Sequence, residues 1–563
     1  MVVDEVLKNL GRFGPWQILL YCGFAASTLG AITWQILSTI FIGATPQHHC
    51  NVNSSLLPLV IKNGKWTIDS CKIYNSSSPE DNTTIECNNG WKYDYSYGTS
   101  IVTEWNLVCS DGWLAEFSQT VFIFGMALGS LTLTFLADKL GRKPIFLISH
   151  LILAIASVIA AFSINYFMFA VMRMVQGIST AGVLFSGILL MFELFPASRR
   201  TIAGSLSQVF FASGMMVMLL LAYCIRNWRH FQLALGLIPA VTLSGYWLCP
   251  ESIPWLVAND RTEEAVRVLN QAAKCNRISL DLSPLTDSRK KRSGSNDASS
   301  AIDDASNHDI CQVLRHPISR KYVFIMFILW FVNSLVYFGL SFTTTMLTGN
   351  RYLNFFLNAL IELPALLVCL FFLQRFGRRV PLCSFHVISG IVLIISVFVP
   401  RETGNGTNLE PLLVTLSMIG KTFITASFDT MYIYTPEIFP TNVRNFGMGT
   451  SNLAARVGAM LAPFSVNIAR IIPWVPAVVF GSTSIFAGGL ALYMPETLRT
   501  PLPQTLKEVI EWKQENPFLC CFSSYSVSSE TTAILSKGTA TQESEIVNPT
   551  YQSNSDITYD ANS

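Results

Sequence analysis

Four ionisable residues stand where the surrounding sequence offers no water. Glu362, Lys421, Asp429 and Arg456 all lie inside long apolar runs. A charge in such a run is costly, so each is a candidate for binding or for ion pairing. Arg456, in Ala455-Arg456-Val457-Gly458, carries a planar guanidinium that can grip a carboxylate through two parallel N–H donors. Glu362, just before Leu363-Pro364, can hold an ammonium group, pair with Arg456, or cap a helix broken at Pro364. Lys421 and Asp429 are eight residues apart, about two helical turns, so they share a face but are too far apart to pair directly. Trp330, Tyr337, Phe338, Phe342, Phe428 and Tyr432 occupy the same runs. Their ring faces attract alkylammonium groups if they line a cavity, and otherwise they pack helices or face lipid. An arginine and an acid in one cavity suit a zwitterion, with one charge of the solute on each. The sequence has no nucleophile elbow, P-loop or zinc-ligand spacing, which argues against an enzyme and against direct ATP drive.

These residues must be positioned by membrane-spanning helices. Only 13% of the 563 residues are charged and 51% are hydrophobic, where a soluble chain carries about 25% charged residues. Apolar runs of spanning length recur at 17–43, 114–136, 145–163, 166–190, 201–223, 229–248, 322–346, 353–373, 380–399, 411–433, 447–470 and 474–494. Each is near the ~20 apolar residues that a bilayer core requires, and a backbone in lipid must satisfy its polar groups internally, so twelve helices are expected. The first run is too long for the apolar region of a signal peptide and reads as the first span. A net charge of +2 gives no bias toward nucleic acid.

Basic residues set the expected orientation. Lys139, Arg142 and Lys143 follow the second span, Arg199 and Arg200 the fourth, Arg375, Arg378 and Arg379 the eighth, and Arg444 the tenth. The positive-inside rule places these loops, and both termini, in the cytoplasm. The segment 44–113 is then outside. It holds Cys50, Cys71, Cys87 and Cys109 and the acceptor sequons at Asn53, Asn75 and Asn82, as expected of an oxidised, glycosylated loop of a plasma-membrane protein. Four cysteines allow three pairings, and sequence does not choose among them. A further sequon at Asn405 also falls outside. Residues 257–321 form a cytoplasmic linker, with an amphipathic stretch at Thr262–Ala273 and a disordered middle. Residues 511–563 read as a disordered cytoplasmic tail, in which Cys520 and Cys521 are palmitoylation candidates.

The two halves, 1–256 and 322–510, repeat short motifs at nearly constant offset. Asp138-Lys139-Leu140-Gly141-Arg142-Lys143 matches Gln374-Arg375-Phe376-Gly377-Arg378-Arg379, 236 residues later. Glu193-Leu194-Phe195-Pro196 with Arg200 matches Glu437-Ile438-Phe439-Pro440 with Arg444, 244 later. Pro250-Glu251-Ser252 matches Pro495-Glu496-Thr497, 245 later. A duplicated six-helix unit is the simplest source of this pattern, and parallel repeats are one architecture of transport proteins. Gly141 and Gly377 permit a tight turn. Arg142, Lys143, Arg378 and Arg379 can pair with Asp138, Glu193 and Glu437, a rim of charge expected to join the two bundles in one state and release them in another. The bland alternative is that the basic residues only set topology.

With these motifs in view, Asp138–Lys143 resembles the loop signature of the major facilitator superfamily, and Arg173-x-x-Gln176-Gly177 a second one. Within it the chain is similar to the organic cation, organic anion and carnitine transporter family. The likeness rests on Pro46-Gln47-His48-His49-Cys50, on Trp330 with Tyr337-Phe338-Gly339-Leu340-Ser341, on Gly349-Asn350-x-Tyr352-Leu353-Asn354 with Glu362-Leu363-Pro364, and above all on Tyr434-Thr435-Pro436-Glu437-Ile438-Phe439-Pro440-Thr441 with Val443-Arg444-Asn445. Thr134, Gln374 and Ile253-Pro254 depart from the family pattern, and four loop cysteines stand where many members have six.

The resemblance implies an all-α membrane protein of twelve helices in two six-helix bundles about a central cavity. It further implies alternating-access transport of small organic cations or zwitterions of carnitine, betaine or amino-acid type. Arg456 resembles anion and carnitine members, Glu362 cation and carnitine members, and the apolar Leu366 departs from the lysine common in anion members. Lys421 belongs to an Ile419-Gly420-Lys421 pattern common in the family, and a structural role for it is as consistent as a binding one. No cofactor is implied, while Na⁺ or H⁺ coupling stays open. An organic anion exchanger is the alternative, and a non-transporting receptor that kept the fold is a second.

Overall fold

The computed structural model describes residues 2–11, 13–62, 65–75, 83–87, 89–241, 249–282, 285, 315–343, 350–400, 408–440, 443–498 and 503. Asn82, Asn405, Cys520, Cys521, the middle of the linker and the tail lie outside them. The helices that matter for the site are α1 (Pro15–Leu37), α2 (Trp113–Leu140), α3 (Arg142–Ala161), α4 (Tyr166–Glu193), α5 (Ala197–Cys224), α6 (Trp228–Ala240), α7 (Thr262–Asn276), α8 (Pro317–Thr343), α9 (Arg351–Leu360), α10 (Glu362–Phe376), α11 (Arg379–Phe398), α12 (Glu410–Ile438), α13 (Arg444–Leu461), α14 (Phe464–Ile471) and α15 (Val475–Ala491). Among the described residues, nine helical segments are long and apolar enough to cross a bilayer. The other three expected spans appear as α6, as α13 with α14, and as the shorter apolar α15. Thr450, Ser451, Asn452 and Arg456 lower the hydropathy of α13.

Two apolar cores hold the molecule. One is built mainly on α1 to α6, with Phe122, Phe146, Phe169 and Phe231 buried in it. The other is built on α8, α11, α12, α13 and α15 around Trp330, Tyr434 and Phe480. Small residues let helices approach closely where lipid gives no hydrophobic drive. A Cβ on Gly177 of α4 would collide with the Phe122 carbonyl oxygen of α2, and one on Gly458 of α13 with the Phe331 carbonyl of α8. Gly177→Val is therefore expected to force α2 and α4 apart at a cost of about 1–3 kcal/mol or more. A lowered thermal midpoint in detergent checks this, and an unchanged midpoint would contradict it.

The repeated motifs explain one another structurally. Gly141 has φ +108° and Gly377 φ +87°, values that favour glycine, and each turn leads into the next helix. The Glu251 carboxylate accepts the backbone N–H groups of Arg142 (3.0 Å) and Lys143 (3.2 Å). Glu496 does the same for Arg378 (2.9 Å) and Arg379 (3.0 Å). A carboxylate on the free N–H groups and positive dipole end of a helix is a favourable cap. The Pro-Glu-Ser and Pro-Glu-Thr motifs thus close onto the glycine turns, a role beyond the turn itself.

The loop between α1 and α2 carries three two-stranded ribbons: His48–Cys50 with Trp91–Tyr93, Leu59–Lys62 with Lys65–Ile68, and Lys72–Tyr74 with Thr84–Glu86. Of the three possible pairings, the structure makes Cys50–Cys87 and Cys71–Cys109. Asn53 is exposed and Asn75 half-buried. The amphipathic stretch at Thr262 is the helix α7, packed by Ala265, Leu269 and Ala272 against Val6, Leu7 and Leu10 of the N-terminal segment.

Candidate functional site

The ionisable residues of the apolar runs converge between α8, α10, α12 and α13. Glu362 opens α10 just after the turn at Ile361 that ends α9. It pairs with Lys421 of α12, Nζ to Oε1 3.1 Å, with 1% and 7% of the two side chains exposed. The Tyr337 hydroxyl donates to the same Oε1 at 2.9 Å. Lys421 also donates to the side-chain and backbone oxygens of Asn358 and lies 5.0 Å above the Tyr337 ring. The partner of Glu362 is thus Lys421 rather than Arg456. A buried pair with hydrogen bonds from both sides is self-satisfied, because each charge meets its opposite and the remaining lone pairs find donors.

Asp429, two turns along α12 from Lys421, is turned to the other half. Gln208 of α5 donates its amide N–H to Asp429 Oδ1 at 2.8 Å. Among the described residues Asp429 has no cationic partner. Arg456 is half-buried in α13, its Nε has no hydrogen-bond partner, and among the described residues no carboxylate pairs with it. Tyr432 lies within electrostatic reach of both Arg456 and Asp429. Its ring is 44% exposed although it packs 4.8 Å from the fully buried Trp330 and 5.5 Å from Phe428.

The aromatic candidates therefore divide. Trp330 is fully buried, donates to Thr435 at 2.9 Å, and backs the Tyr432 ring, so in this conformation it offers no surface to a solute. Tyr337 is spent on Glu362, and Phe338 and Phe342 stack on each other at 6.2 Å. Tyr432 is the candidate ring with a large open face. Gln208 and Asn358 were not singled out by sequence, because a lone amide in an apolar run carries no signal of its partner. Arg173, a signature residue, is 1% exposed and fully engaged. It donates to Gln119 (2.6 Å), Gln176 (3.1 Å) and the Gln35 carbonyl (3.2 Å), tying three helices of one bundle together.

At the rim that carries the basic loops, the pairs run inside each bundle. Arg142 meets Asp138 (3.2 Å) and Glu193 (3.9 Å). Arg378 meets Glu437 (3.0 Å), which also accepts from Thr497 at 2.6 Å. Arg200 donates to the Phe195 carbonyl at 3.2 Å, while Nε and Nη2 of Arg444 are buried without a hydrogen-bond partner. Lys143 and Arg379 donate their backbone N–H groups to Glu251 and Glu496. The expectation that these pairs join the two bundles is not met in this conformation for Arg142 and Arg378. Arginine in the loop motif reaches first for the acids nearest in its own repeat.

The bundles meet at the opposite rim, beside the cysteine-rich loop. Arg470 of α14 pairs with the buried Glu116 of α2 at 2.9 Å, and Thr120 donates to the Met460 carbonyl at 2.8 Å. Phe41 packs on Phe355 at 5.1 Å, Tyr223 on Tyr352 at 5.4 Å, and Arg351 lies 4.7 Å above the Tyr97 ring.

The sequence profile of the family described as "Sugar (and other) transporter" matches residues 72–506. An "Organic cation transporter protein" of Drosophila melanogaster is 35% identical over 529 residues, covering 90% of this chain and 94% of that one. The chain belongs to the major facilitator superfamily, in its organic cation, anion and carnitine transporter family. This transporter is also 32% identical to "Organic cation/carnitine transporter 2" of Homo sapiens over 544 residues (91% and 94% covered). It is 33% identical to "Organic anion transporter 3" of Sus scrofa over 530 residues (91% and 94% covered). Its fold is similar to that of the xylose transporter XylE from E. coli, compared in its inward open conformation, with a TM-score of 0.56 at 15% identity, covering 86% and 97% of the two chains. The transporter is a multi-pass membrane protein and not an enzyme, as its sequence led us to expect.

Proposed function

We propose that this transporter moves small organic zwitterions or cations across the plasma membrane by alternating access. The observation that carries the reading is Arg456. Among the described residues it stands without a carboxylate partner, within electrostatic reach of the exposed Tyr432, and an acid, Asp429, lies on the same helix as that tyrosine. A guanidinium in that position costs several kcal/mol unless something pairs with it, and a solute carboxylate is the natural partner. The acid then takes the amine, and Tyr432 offers a cation–π face to its methylenes and nitrogen.

The wider reading has two six-helix units, 1–256 and 322–510, joined by the linker 257–321, with both termini in the cytoplasm and the tail at 511–563. Asn53, Asn75, Asn82 and Asn405 then face outside as glycosylation acceptors. The rim residues Asp138, Arg142, Lys143, Glu193, Arg200, Arg378, Arg379, Glu437 and Arg444 act as the cytoplasmic gate. The contacts at the cysteine-loop rim support a state closed to the outside. The cycle is facilitative or is driven by Na⁺, H⁺ or a counter-solute, and no organic cofactor is required.

One observation favours organic anion exchange as a second reading: Glu362 is neutralised by Lys421, which leaves Arg456 as the stronger electrostatic feature. Uptake of labelled carnitine, betaine, a quaternary amine and a dicarboxylate into proteoliposomes of the pure protein separates the two. Saturable zwitterion or cation uptake is the expected result. Uptake of the dicarboxylate alone would replace this reading with the exchanger, and uptake of none would return the chain to a receptor role.

A further inference from the structure

We propose that Asp429, and not Glu362, is the carboxylate that receives the substrate's ammonium group, with Gln208 as a neutral placeholder that the ammonium displaces. The inference rests on the zwitterion or cation reading above and assigns its second charge.

The charges decide between the two acids. Glu362 already holds a Lys421 ammonium at 3.1 Å and a Tyr337 hydroxyl at 2.9 Å, and Lys421 is anchored in turn by Asn358. A second ammonium would have to displace a tethered lysine that brings no translational cost of its own. Asp429 is likewise a buried carboxyl group, but it is met by a neutral amide. The Gln208 amide brings no charge, so an ammonium in its place would add the attraction of an opposite charge to the hydrogen bond on Asp429.

Position agrees with charge. Asp429 and Tyr432 are three residues apart on α12, so their side chains leave the helix on one face. Tyr432 lies within electrostatic reach of both Asp429 and Arg456, and it is 44% exposed. A solute with its ammonium on Asp429 and its carboxylate on Arg456 would span that ring. The geometry also selects among amines. Taking the place of the Gln208 N–H requires an N–H on the solute, which a trimethylammonium group lacks. The favoured class is therefore a primary or secondary amine with a carboxylate a few bonds away. Gln208 belongs to α5 and Asp429 to α12, so loading the site breaks a hydrogen bond between the two bundles. That makes occupancy a bias on their relative movement.

The test uses the full-length protein in proteoliposomes, with γ-aminobutyrate and its N-trimethyl homologue as probes. Wild type is expected to show a lower KM for the amine. In Asp429→Asn the KM for the amine is expected to rise about ten- to hundredfold, and the ratio of the two KM values to fall toward one. The ratio is taken within one preparation, so partial misfolding does not affect it. The double variant Glu362→Gln/Lys421→Met removes the competing acid and its partner together, and is expected to keep the wild-type ratio. Gln208→Ala is expected to lower the KM for the amine, since nothing has to be displaced. An unchanged ratio in Asp429→Asn, a lost ratio in the Glu362/Lys421 double variant, or a raised KM in Gln208→Ala would overturn the assignment. Failure of wild type to carry either probe while it carries a dicarboxylate would instead overturn the underlying reading.

Discussion

Arg456→Ala is expected to lower the kcat/KM for any carboxylate-bearing substrate by about a hundredfold or more. The bound carboxylate would lose two charge-assisted hydrogen bonds, each worth about 1.5–3 kcal/mol. Arg456→Lys keeps the charge without the planar fork and should fall between the two. Initial-rate uptake in proteoliposomes measures the effect, and a thermal midpoint measured beside it separates binding from architecture. Arg456 has an unpartnered Nε, and among the described residues no carboxylate pairs with it. Its removal should therefore leave the midpoint unchanged or raise it, because an uncompensated half-buried charge is lost. If uptake fell and the midpoint fell with it, Arg456 would be a structural residue.

The opposite pattern is expected at Lys421. Lys421→Met leaves Glu362 buried with only the Tyr337 hydroxyl, an uncompensated charge that costs about 3–5 kcal/mol. The midpoint should drop clearly. The further change Glu362→Gln should restore most of it, because replacing both members of a buried pair by neutral groups of like volume is often nearly neutral. A Lys421→Met protein as stable as wild type would show that Glu362 finds another partner. A double variant no better than the single one would show that Lys421 serves the fold in some other way. The two predictions assign opposite roles to a half-buried and a buried cation, one held open for a solute and one consumed by the protein.

The distribution of inter-bundle contacts gives these side chains a setting. The rim by the cysteine-rich loop is closed by Arg470–Glu116, by Phe41 on Phe355 and by Tyr223 on Tyr352. At the basic-loop rim, Arg142 and Arg378 satisfy themselves within their own repeats. Each repeat thus caps its own helix, with Glu251 or Glu496, and pairs its own arginine.

What could be read from sequence was whatever depends on residues near one another along the chain. The spans were legible because a backbone in lipid must bond to itself and each helix therefore needs its own apolar run. The duplication was legible because Gly141 and Gly377, Glu193 and Glu437, and Glu251 and Glu496 recur at almost one offset. The site's residue types were legible because a charge in an apolar run is rare and costly. Which charges cancel was not legible. Glu362 with Lys421, Gln208 with Asp429 and Glu116 with Arg470 are pairs between different helices, and Gln208 and Asp429 are 221 residues apart. Helical period fixes the face on which a side chain leaves its own helix, but the rotation and depth of the helix opposite come from packing, through contacts such as Gly177 on Phe122 and Gly458 on Phe331. The sequence alone determined that this membrane protein carries buried acids and buried bases. Tertiary structure decided which of them pair with one another and which, among the described residues, stay without an ionic partner, because that depends on approaches of about 3 Å between side chains that only packed helices can set.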